Sequence, residues 1–261
     1  MQPQNVIPGA IAFWVSDIWP SMKIEQTKNR IRQIGWLRSL PVPFVDMLLA
    51  GARQRHLCRG EALFHMADPS HDMIGIADGV VDVVLEPGID GPRLGFVAKA
   101  GNWLGGVGMP GTSLRRISAI ARRDVTILSV SAQHIETVAL ADGETWRHIA
   151  SNIVNHFDNL GLLLHANVHR DNVVRILITL RRLHDFNDGA TEFPLTQTDL
   201  AEMAGLSRNS ANRVVRVLVE DGLIETGYGW IRILDPSRLS ARLVRAHLPD
   251  WIDVHRQPVE A

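Results

Sequence analysis

The residues most able to do chemistry lie between positions 207 and 217, in the sequence SRNSANRVVRV. This stretch has three arginines and no acidic residue, and its apolar residues recur at helical spacing, so the polar side chains share the other face of a helix. Arg can pair with guanine and Asn with adenine in the DNA major groove, while other cations bind phosphates. The candidate DNA contacts are Arg208, Asn209, Ser210, Asn212, Arg213 and Arg216.

A shorter helix must precede this one and hold it against a core. Thr196 and Asp199 have the spacing of a capping box at a helix start. Gly205 suits a turn, and Ser207 is a good N-cap for the helix that follows. The pattern predicts a helix-turn-helix, and it adds Thr196 to the candidate DNA contacts.

Two short β-type runs, 223–226 and 230–234, flank the glycine-rich turn Gly-Tyr-Gly at 227–229. They predict a two-stranded wing after the second helix. Tyr228 is a candidate contact to backbone phosphates, and Arg232 is a second one. Trp230 and Ile233 are interpreted as the packed side of this hairpin.

A long helix is predicted from Glu144 onward, because its apolar positions alternate at spacings of three and four. This heptad pattern favours an interface between two copies of the chain. The alternative is an ordinary long helix packed on its own domain. The candidate dimerisation residues are Trp146, Ile149, Ile153, His156, Leu160 and Leu163.

Upstream of this helix, the pattern of apolar and turn-forming residues is different. Between positions 51 and 130, short apolar runs alternate with Gly, Pro and Asp, which predicts an antiparallel β-roll or barrel. Residues 34–50 are predicted to be helical, and a second helix is expected over 172–184. The fold class is therefore α+β: a jelly-roll-like N-terminal β-roll, a long dimerisation helix and a C-terminal winged helix-turn-helix.

Composition restricts the class of protein. The 261 residues are 46% hydrophobic and carry a net charge of −1, which fits a globular chain and excludes a uniformly basic coat for nucleic acid. Cys58 is the single cysteine, so a cytoplasmic location is expected. The apolar stretch 6–19 is too short and too interrupted to span a bilayer, and we expect no membrane partner. We also expect no metal and no cofactor.

The C-terminal sequence TQTDLAEMAGLSRNSANRVVRVLVEDGLIETGYGWIRILDPSRL closely resembles the winged helix of Crp/Fnr transcription regulators. The resemblance implies a homodimer that binds a palindromic operator under the control of a cyclic-nucleotide-binding-like sensory roll. RNA polymerase is a further partner to consider. The family's recognition helix has two arginines five residues apart, and Arg208 and Arg213 match them. Asn209 replaces the family's usual Glu, which shifts the expected operator toward adenine.

The resemblance also divides the chain. It implies an N-terminal extension over 1–34, a sensory roll over 35–140, a dimerisation helix over 141–171, a winged helix-turn-helix over 172–245 and a C-terminal tail over 246–261.

The family's phosphate-binding cassette matches only in part. Cyclic-nucleotide binders place Glu after a Gly, and this chain has Gly106 there. Arg115 matches the phosphate-binding Arg, but Arg116 stands where Ser or Thr is usual. The resemblance leaves open a cyclic nucleotide, another small effector and no ligand, and it speaks against the usual mode of cAMP binding. The candidate effector residues are Gly105, Gly106, Arg115, Arg116 and Ser118.

Two other functions are alternatives to DNA-binding transcription regulation. A cupin-like enzyme would need a metal triad, for which only His65 and His71 lie in the roll. His165 and His169 have a metal-binding spacing on a helix but no evident third ligand. A winged helix used only for protein contacts is a further alternative. We expect a protein that is not an enzyme, with no catalytic residue.

Overall fold

The computed structural model describes residues 23–245, apart from positions 70, 87, 89, 90 and 106–113. The apolar stretch 6–19, Gly106 and the tail 246–261 therefore lie outside the described residues. The helices are α1 (Ile24–Arg32), α2 (Val42–Ala50), α3 (Ala132–Ala141), α4 (Thr145–Val168), α5 (Asn172–Asp185), α6 (Gln197–Met203), α7 (Arg208–Glu220) and α8 (Pro236–Arg245). The strands are β1 (Arg53–Leu57), β2 (Ala62–Phe64), β3 (Asp72–Asp78), β4 (Val80–Leu85), β5 (Arg93–Lys99), β6 (Trp103–Leu104), β7 (Ser118–Ala121), β8 (Val125–Ser131), β9 (Glu192–Phe193), β10 (Ile224–Gly227) and β11 (Trp230–Ile233).

The first eight strands form a roll of two four-stranded antiparallel sheets, with the orders β1-β8-β3-β6 and β2-β7-β4-β5. Seven of these strands coincide with the short apolar runs from which the β-roll was predicted. The eighth, β1, was not predicted, because its sequence RQRHL is polar and only Leu57 is buried. Pairing with β8 along its whole length nevertheless holds it in the sheet. The predicted α+β class and the β-roll are confirmed.

The helical segment before the roll differs from the prediction. Residues 34–50 form a 3-10 helix over Gly35–Ser39 and then α2, because Pro41 begins the second helix as its N-cap. The predicted extension 1–34 also contains α1, whose Ile31 is fully buried under the roll. Ile31 belongs to a second cluster of buried apolar residues. In this cluster the rings of Trp36 and Trp103 pack edge to face, with their centroids 5.9 Å apart.

The long helix α4 begins at Thr145 as predicted, with Glu144 as its N-cap. It then meets α5 beside the roll. Arg182 of α5 is buried where these parts join, and its guanidinium donates to Asn159 Oδ1 at 2.9 Å and to the Gly95 carbonyl at 3.3 Å. Burial lowers the pKa of Arg182 to about 10. One buried cation therefore links the long helix, the roll and the C-terminal domain.

The C-terminal domain packs α5, α6, α7 and α8 with a small antiparallel sheet of the order β10-β11-β9. The predicted winged helix-turn-helix is confirmed. Within the described part of the chain, no helix combines the length and apolar character that crossing a bilayer requires.

Candidate nucleic-acid interface

The first helix of the motif is fixed by a reciprocal cap. The Asp199 backbone N–H donates to Thr196 Oγ1 at 3.0 Å, and the Thr196 N–H donates to Asp199 Oδ2 at 2.7 Å. Thr196 is exposed, but its hydroxyl also donates to Asp199 at 2.9 Å. Its hydroxyl is thus engaged in positioning α6. As a DNA contact, Thr196 stays a prediction.

The turn between the two helices is held by a residue that the sequence analysis missed. Arg175 of α5 donates from Nε to the Ala204 carbonyl at 3.0 Å and from Nη2 to the Gly205 carbonyl at 2.8 Å. These bonds satisfy carbonyls at the end of α6 that have no helical partner. Gly205 has φ +61°, and an added Cβ would lie 2.2 Å from Asn167 Oδ1 and 2.6 Å from Arg175 Nη2.

Gly205→Ala is therefore expected to destabilise the protein by about 2–3 kcal/mol, since it combines a left-handed backbone with loss of the Arg175 hydrogen bonds. Gly222→Ala is the matched control, because Gly222 has φ +64° and open space around its Cα. We expect that control to lose only about 1 kcal/mol. Urea unfolding followed by circular dichroism measures both. Equal losses would show that crowding at Gly205 contributes nothing.

The second helix, α7, presents one apolar and one polar face. Ser207 caps it by accepting from the Ser210 N–H at 3.2 Å. Ala211, Val214, Val215 and Leu218 are buried against the rest of the domain. This packing fixes which side chains face outward.

The outward face of α7 carries four of the six DNA contacts predicted on this helix. Arg208, Asn209, Arg213 and Arg216 are exposed, and none of the three guanidinium groups forms an ion pair among the described residues. Such cations are available for phosphates or base edges.

Two predicted contacts lie at the flanks of this face and are half-buried. Ser210 accepts from the Ser207 hydroxyl at 2.9 Å. Asn212 keeps a buried Oδ1 that has no hydrogen-bond partner among the described residues. Sequence spacing could not separate these two from the four exposed positions, because all six lie outside the buried stripe.

The wing has the predicted form. Tyr228 is fully exposed at the tip between β10 and β11. Arg232 is exposed, and its guanidinium pairs with Glu192 at 2.6 Å and with Glu225 at 3.1 Å, so as a phosphate contact it stays a prediction. Trp230 is half-buried and Ile233 buried, as interpreted from the sequence.

The helix-turn-helix contacts the roll through Arg122. Its Nη1 donates to Asp199 Oδ2 at 3.0 Å and to the Pro194 carbonyl at 2.9 Å, while its Nε bonds Asp82. Burial raises the pKa of Asp82 against the opposing effect of Arg122. Burial also acts to raise the pKa of Asp199, but hydrogen bonds from Arg122 and Thr196 outweigh it and lower that pKa.

The structure brings Gly105 and Arg115 together in the roll. Gly105 has φ +96°, and an added Cβ would lie 2.0 Å from Arg115 Nη1, so only glycine allows this approach. Arg115 is 5% exposed, lies 4.2 Å from the Phe64 ring centroid and pairs with Asp72. Its Nε and Nη1 are buried without a hydrogen-bond partner among the described residues.

The remaining candidate effector residues lie in different surroundings. The Ser118 hydroxyl donates to Glu86 and accepts from the Met66 N–H at 2.8 Å. Arg116 is exposed, and Gly106 lies outside the described residues. Two carboxylates, Asp72 and Glu86, therefore already hold Arg115 and Ser118, and both repel a bound anion.

The predicted dimerisation residues do not all face the same way. Ile149 is 2% exposed in the core under the roll, and His156 Nε2 lies 2.7 Å from the Trp103 carbonyl. Both side chains pack against their own chain, so a role for them in a dimer stays a prediction. Leu163 is half-buried. The apolar residues that α4 does expose are Trp146, Ile153, Val154, Phe157, Leu160, Leu164 and Val168.

The His156 contact predicts a pH dependence of stability. Burial lowers the pKa of His156, although its hydrogen bond with Trp103 opposes this. The unfolded chain then binds this proton more tightly, so stability is complete above about pH 6.5 and falls as the pH drops toward the folded pKa. Relative to His156→Gln, the wild type is expected to lose up to about 1.4 kcal/mol per pH unit. Urea unfolding of both proteins between pH 7.5 and 5.5 measures this, and parallel profiles would refute it.

Comparison with known proteins indicates the class of protein to which these features point. Residues 165–242 match the family model of the Crp-like helix-turn-helix domain. A search of the curated proteins found no match. The match supports the predicted function in DNA-binding transcription regulation.

Solved structures share the fold over most of the chain. FixK2 from Bradyrhizobium japonicum has a TM-score of 0.58 at 19% identity, over 73% of this chain and 96% of its own. CLP from Xanthomonas campestris, a c-di-GMP-responsive regulator, has a TM-score of 0.55 at 17% identity, over 75% and 100%. A CRP-family transcriptional regulator from Thermus thermophilus has a TM-score of 0.57 at 19% identity, over 73% and 96%. These structures share the fold of the chain, and residues 165–242 carry the Crp-like helix-turn-helix domain.

The enzyme alternative has no support in this structure. His65 and His71 are both exposed between strands, and no group of three His, Cys, Asp or Glu able to hold a metal occurs within the described ranges. Within the same ranges, His165 and His169 belong to no such group either.

Proposed function

We propose that the chain acts as a homodimer that binds a two-fold symmetric DNA operator through α7. The observation that carries this proposal is the outward face of that helix. Its three arginines are exposed, free of ion pairs among the described residues, and held by a capped and packed helix-turn-helix. Protein contacts alone would not require such an acid-free face.

Within this proposal, Arg208, Asn209 and Arg213 read bases from the first turns of α7. Arg213 Nε is 3.5 Å from the Asn209 carbonyl, so the side chain lies along the outer face. Arg216, one turn further along, contacts a phosphate, and Tyr228 contacts the backbone from the wing. Asn209 prefers adenine, because its amide can both donate to and accept from that base.

The dimer in this proposal is formed by α4. Ile153, Phe157, Leu160 and Leu164 are spaced by four, three and four residues, and each is at least 46% exposed. A seam with this spacing suits a parallel pair of helices. Two-fold symmetry then places the two α7 helices about 34 Å apart, in successive major grooves.

The proposal keeps the roll as the sensory domain. The Nε and Nη1 atoms of Arg115, which have no hydrogen-bond partner among the described residues, suit a small effector, while Asp72 and Glu86 oppose the cyclic phosphate of cAMP in its usual pose. CLP shows that a relative of this fold responds to a different nucleotide. The roll, dimerisation helix and winged helix-turn-helix are assigned to 35–140, 141–171 and 172–245. RNA polymerase is a proposed partner at activated promoters, the protein works in the cytoplasm, and no catalytic role is assigned.

Selection of binding sequences from a random DNA pool tests the proposal. We expect enrichment of an inverted repeat whose half-site centres are about one helical turn apart. Enrichment of a single half-site would overturn the symmetric dimer. No enrichment at all would favour a winged helix that serves protein contacts.

A further inference from the structure

An open cavity of about 790 Å³ lies where α1, the roll and the C-terminal domain meet. Its walls include Arg30 of α1, Gly79 in the β3–β4 turn and Lys99 at the end of β5. The loop after α5 closes another side with Asn187 and Asp188. The cavity is separate from the Arg115 turn and from the outward face of α7, since none of those residues lines it.

Most of the acidic side chains in this cavity already have partners. Asp78 pairs with Arg30 at 2.7 Å, and Asp188 pairs with Arg38 at 2.7 Å. Asp124 accepts from the Arg59 backbone N–H at 2.7 Å. The charges of Asp78 and Asp188 are therefore compensated by arginines, whereas Asp124 has a neutral partner and leaves one negative charge against three cations.

Three cations in the same lining are not compensated in this way. The guanidinium groups of Arg59 and Arg123 form no ion pair within the described part of the chain. The Lys99 ammonium donates to the Glu192 carbonyl at 2.9 Å, which is a neutral acceptor. Burial lowers the pKa of Lys99; Glu192 opposes this and the charge of Arg123 adds to it, so the two cations are close enough to repel. An anion between them would relieve that repulsion.

The cavity wall is pre-organised across the two domains. Asn187 is 3% exposed, accepts from the Lys99 backbone N–H at 2.7 Å and donates to the Val97 carbonyl at 3.0 Å. These bonds tie the end of β5 to the loop after α5. A site whose walls are already fixed loses little entropy when a ligand binds.

We propose that this cavity binds a small anion that carries two or more phosphate or carboxylate groups, held by Arg59, Lys99 and Arg123. The volume is typical of a metabolite site. Arginine suits both oxyanions, because its fork of N–H donors can bind two oxygens at once. All three cations belong to the roll, and the loop after α5 forms another wall of the cavity, so the ligand would sit beside the junction of the two domains. Binding at this site does not depend on the proposed function.

Calorimetric titration of the full chain with inorganic pyrophosphate and with citrate, at constant ionic strength, tests this. We expect saturable binding of at least one probe. Arg59→Gln/Arg123→Gln is expected to weaken it by about tenfold or more for each arginine, given the strength of charged hydrogen bonds. Absence of binding by the wild type to both probes would overturn the proposal.

Arg53→Gln/Arg55→Gln is the matched control. It also removes two exposed arginines of the roll, both on β1, and neither lines the cavity. We expect this variant to bind the probes as the wild type does. Equal weakening in both double variants would mean non-specific charge attraction, and weakening in the control alone would place the anion at β1; both overturn the proposal. Operator binding by the ligand-free protein is measured separately, so failure of the DNA-binding proposal is recognised independently.

Discussion

Arg213→Ala is expected to weaken binding to the selected operator by about 30-fold or more, while binding to random duplex changes little. A bidentate contact with a base contributes about 1–3 kcal/mol of discrimination, and a symmetric operator loses it in both half-sites. Arg213 is exposed on the outer face of α7 and free of carboxylate partners among the described residues, so its removal leaves the fold intact. Fluorescence anisotropy on both DNAs at one fixed salt concentration measures the effect.

Arg216→Ala on the same helix is the comparison. As a phosphate contact it should weaken binding to all sequences alike, and it should reduce the salt dependence by about one counterion per contact. If Arg213→Ala behaves in this uniform way too, Arg213 contacts phosphate, and base reading falls to Arg208 and Asn209.

Phe157→Glu/Leu164→Glu is expected to separate the dimer, raising its dissociation constant about a thousandfold or more. Phe157 is 73% exposed and Leu164 60% exposed on α4, which leaves both side chains available to a second subunit. The double variant would bring four carboxylates into one apolar seam, where each unpaired charge costs several kcal/mol. Sedimentation velocity over a range of concentrations measures the change.

Leu140→Glu is the control for this variant. Leu140 is 92% exposed at the end of α3, away from the stripe on α4. It should leave the dimer unchanged, and circular dichroism should show native helix content in both proteins. A Phe157→Glu/Leu164→Glu protein that still sediments as a dimer would refute the role of α4.

The helix-turn-helix could be predicted because its signals are local. The capping box at Thr196, Gly205 in the turn and Ser207 at the next helix start act within a few residues of one another. Each has a single structural meaning that depends little on the rest of the chain. The structure places them as expected.

The interface register could not be predicted from periodicity, because α4 has two apolar faces. Ile149 faces the roll while Phe157 faces outward, and both belong to helical repeats. A heptad count does not distinguish contact with one's own domain from contact with a second subunit. The outward stripe is recognised only from the exposure of its side chains in the structure. It shares Trp146, Ile153 and Leu160 with the predicted seam.

Contacts between distant parts of the chain left no sequence signal. Asp72 lies 43 residues from Arg115, and Glu86 lies 32 residues from Ser118. Nothing in their spacing indicates that these carboxylates hold the candidate effector residues. Strand β1 was missed for a related reason, since its place is set by pairing with β8 rather than by its own composition.

The Asp199 carboxylate serves two structures at once. It closes the cap on the first helix of the DNA-binding motif, and it also receives Arg122 from the roll. A movement that separates the roll from the C-terminal domain therefore pulls on the contact between Arg122 and Asp199. It disturbs the first turn of α6 before it reaches the proposed DNA contacts on α7. The order of the first turn of α6 and the position of the roll are therefore coupled through this one carboxylate.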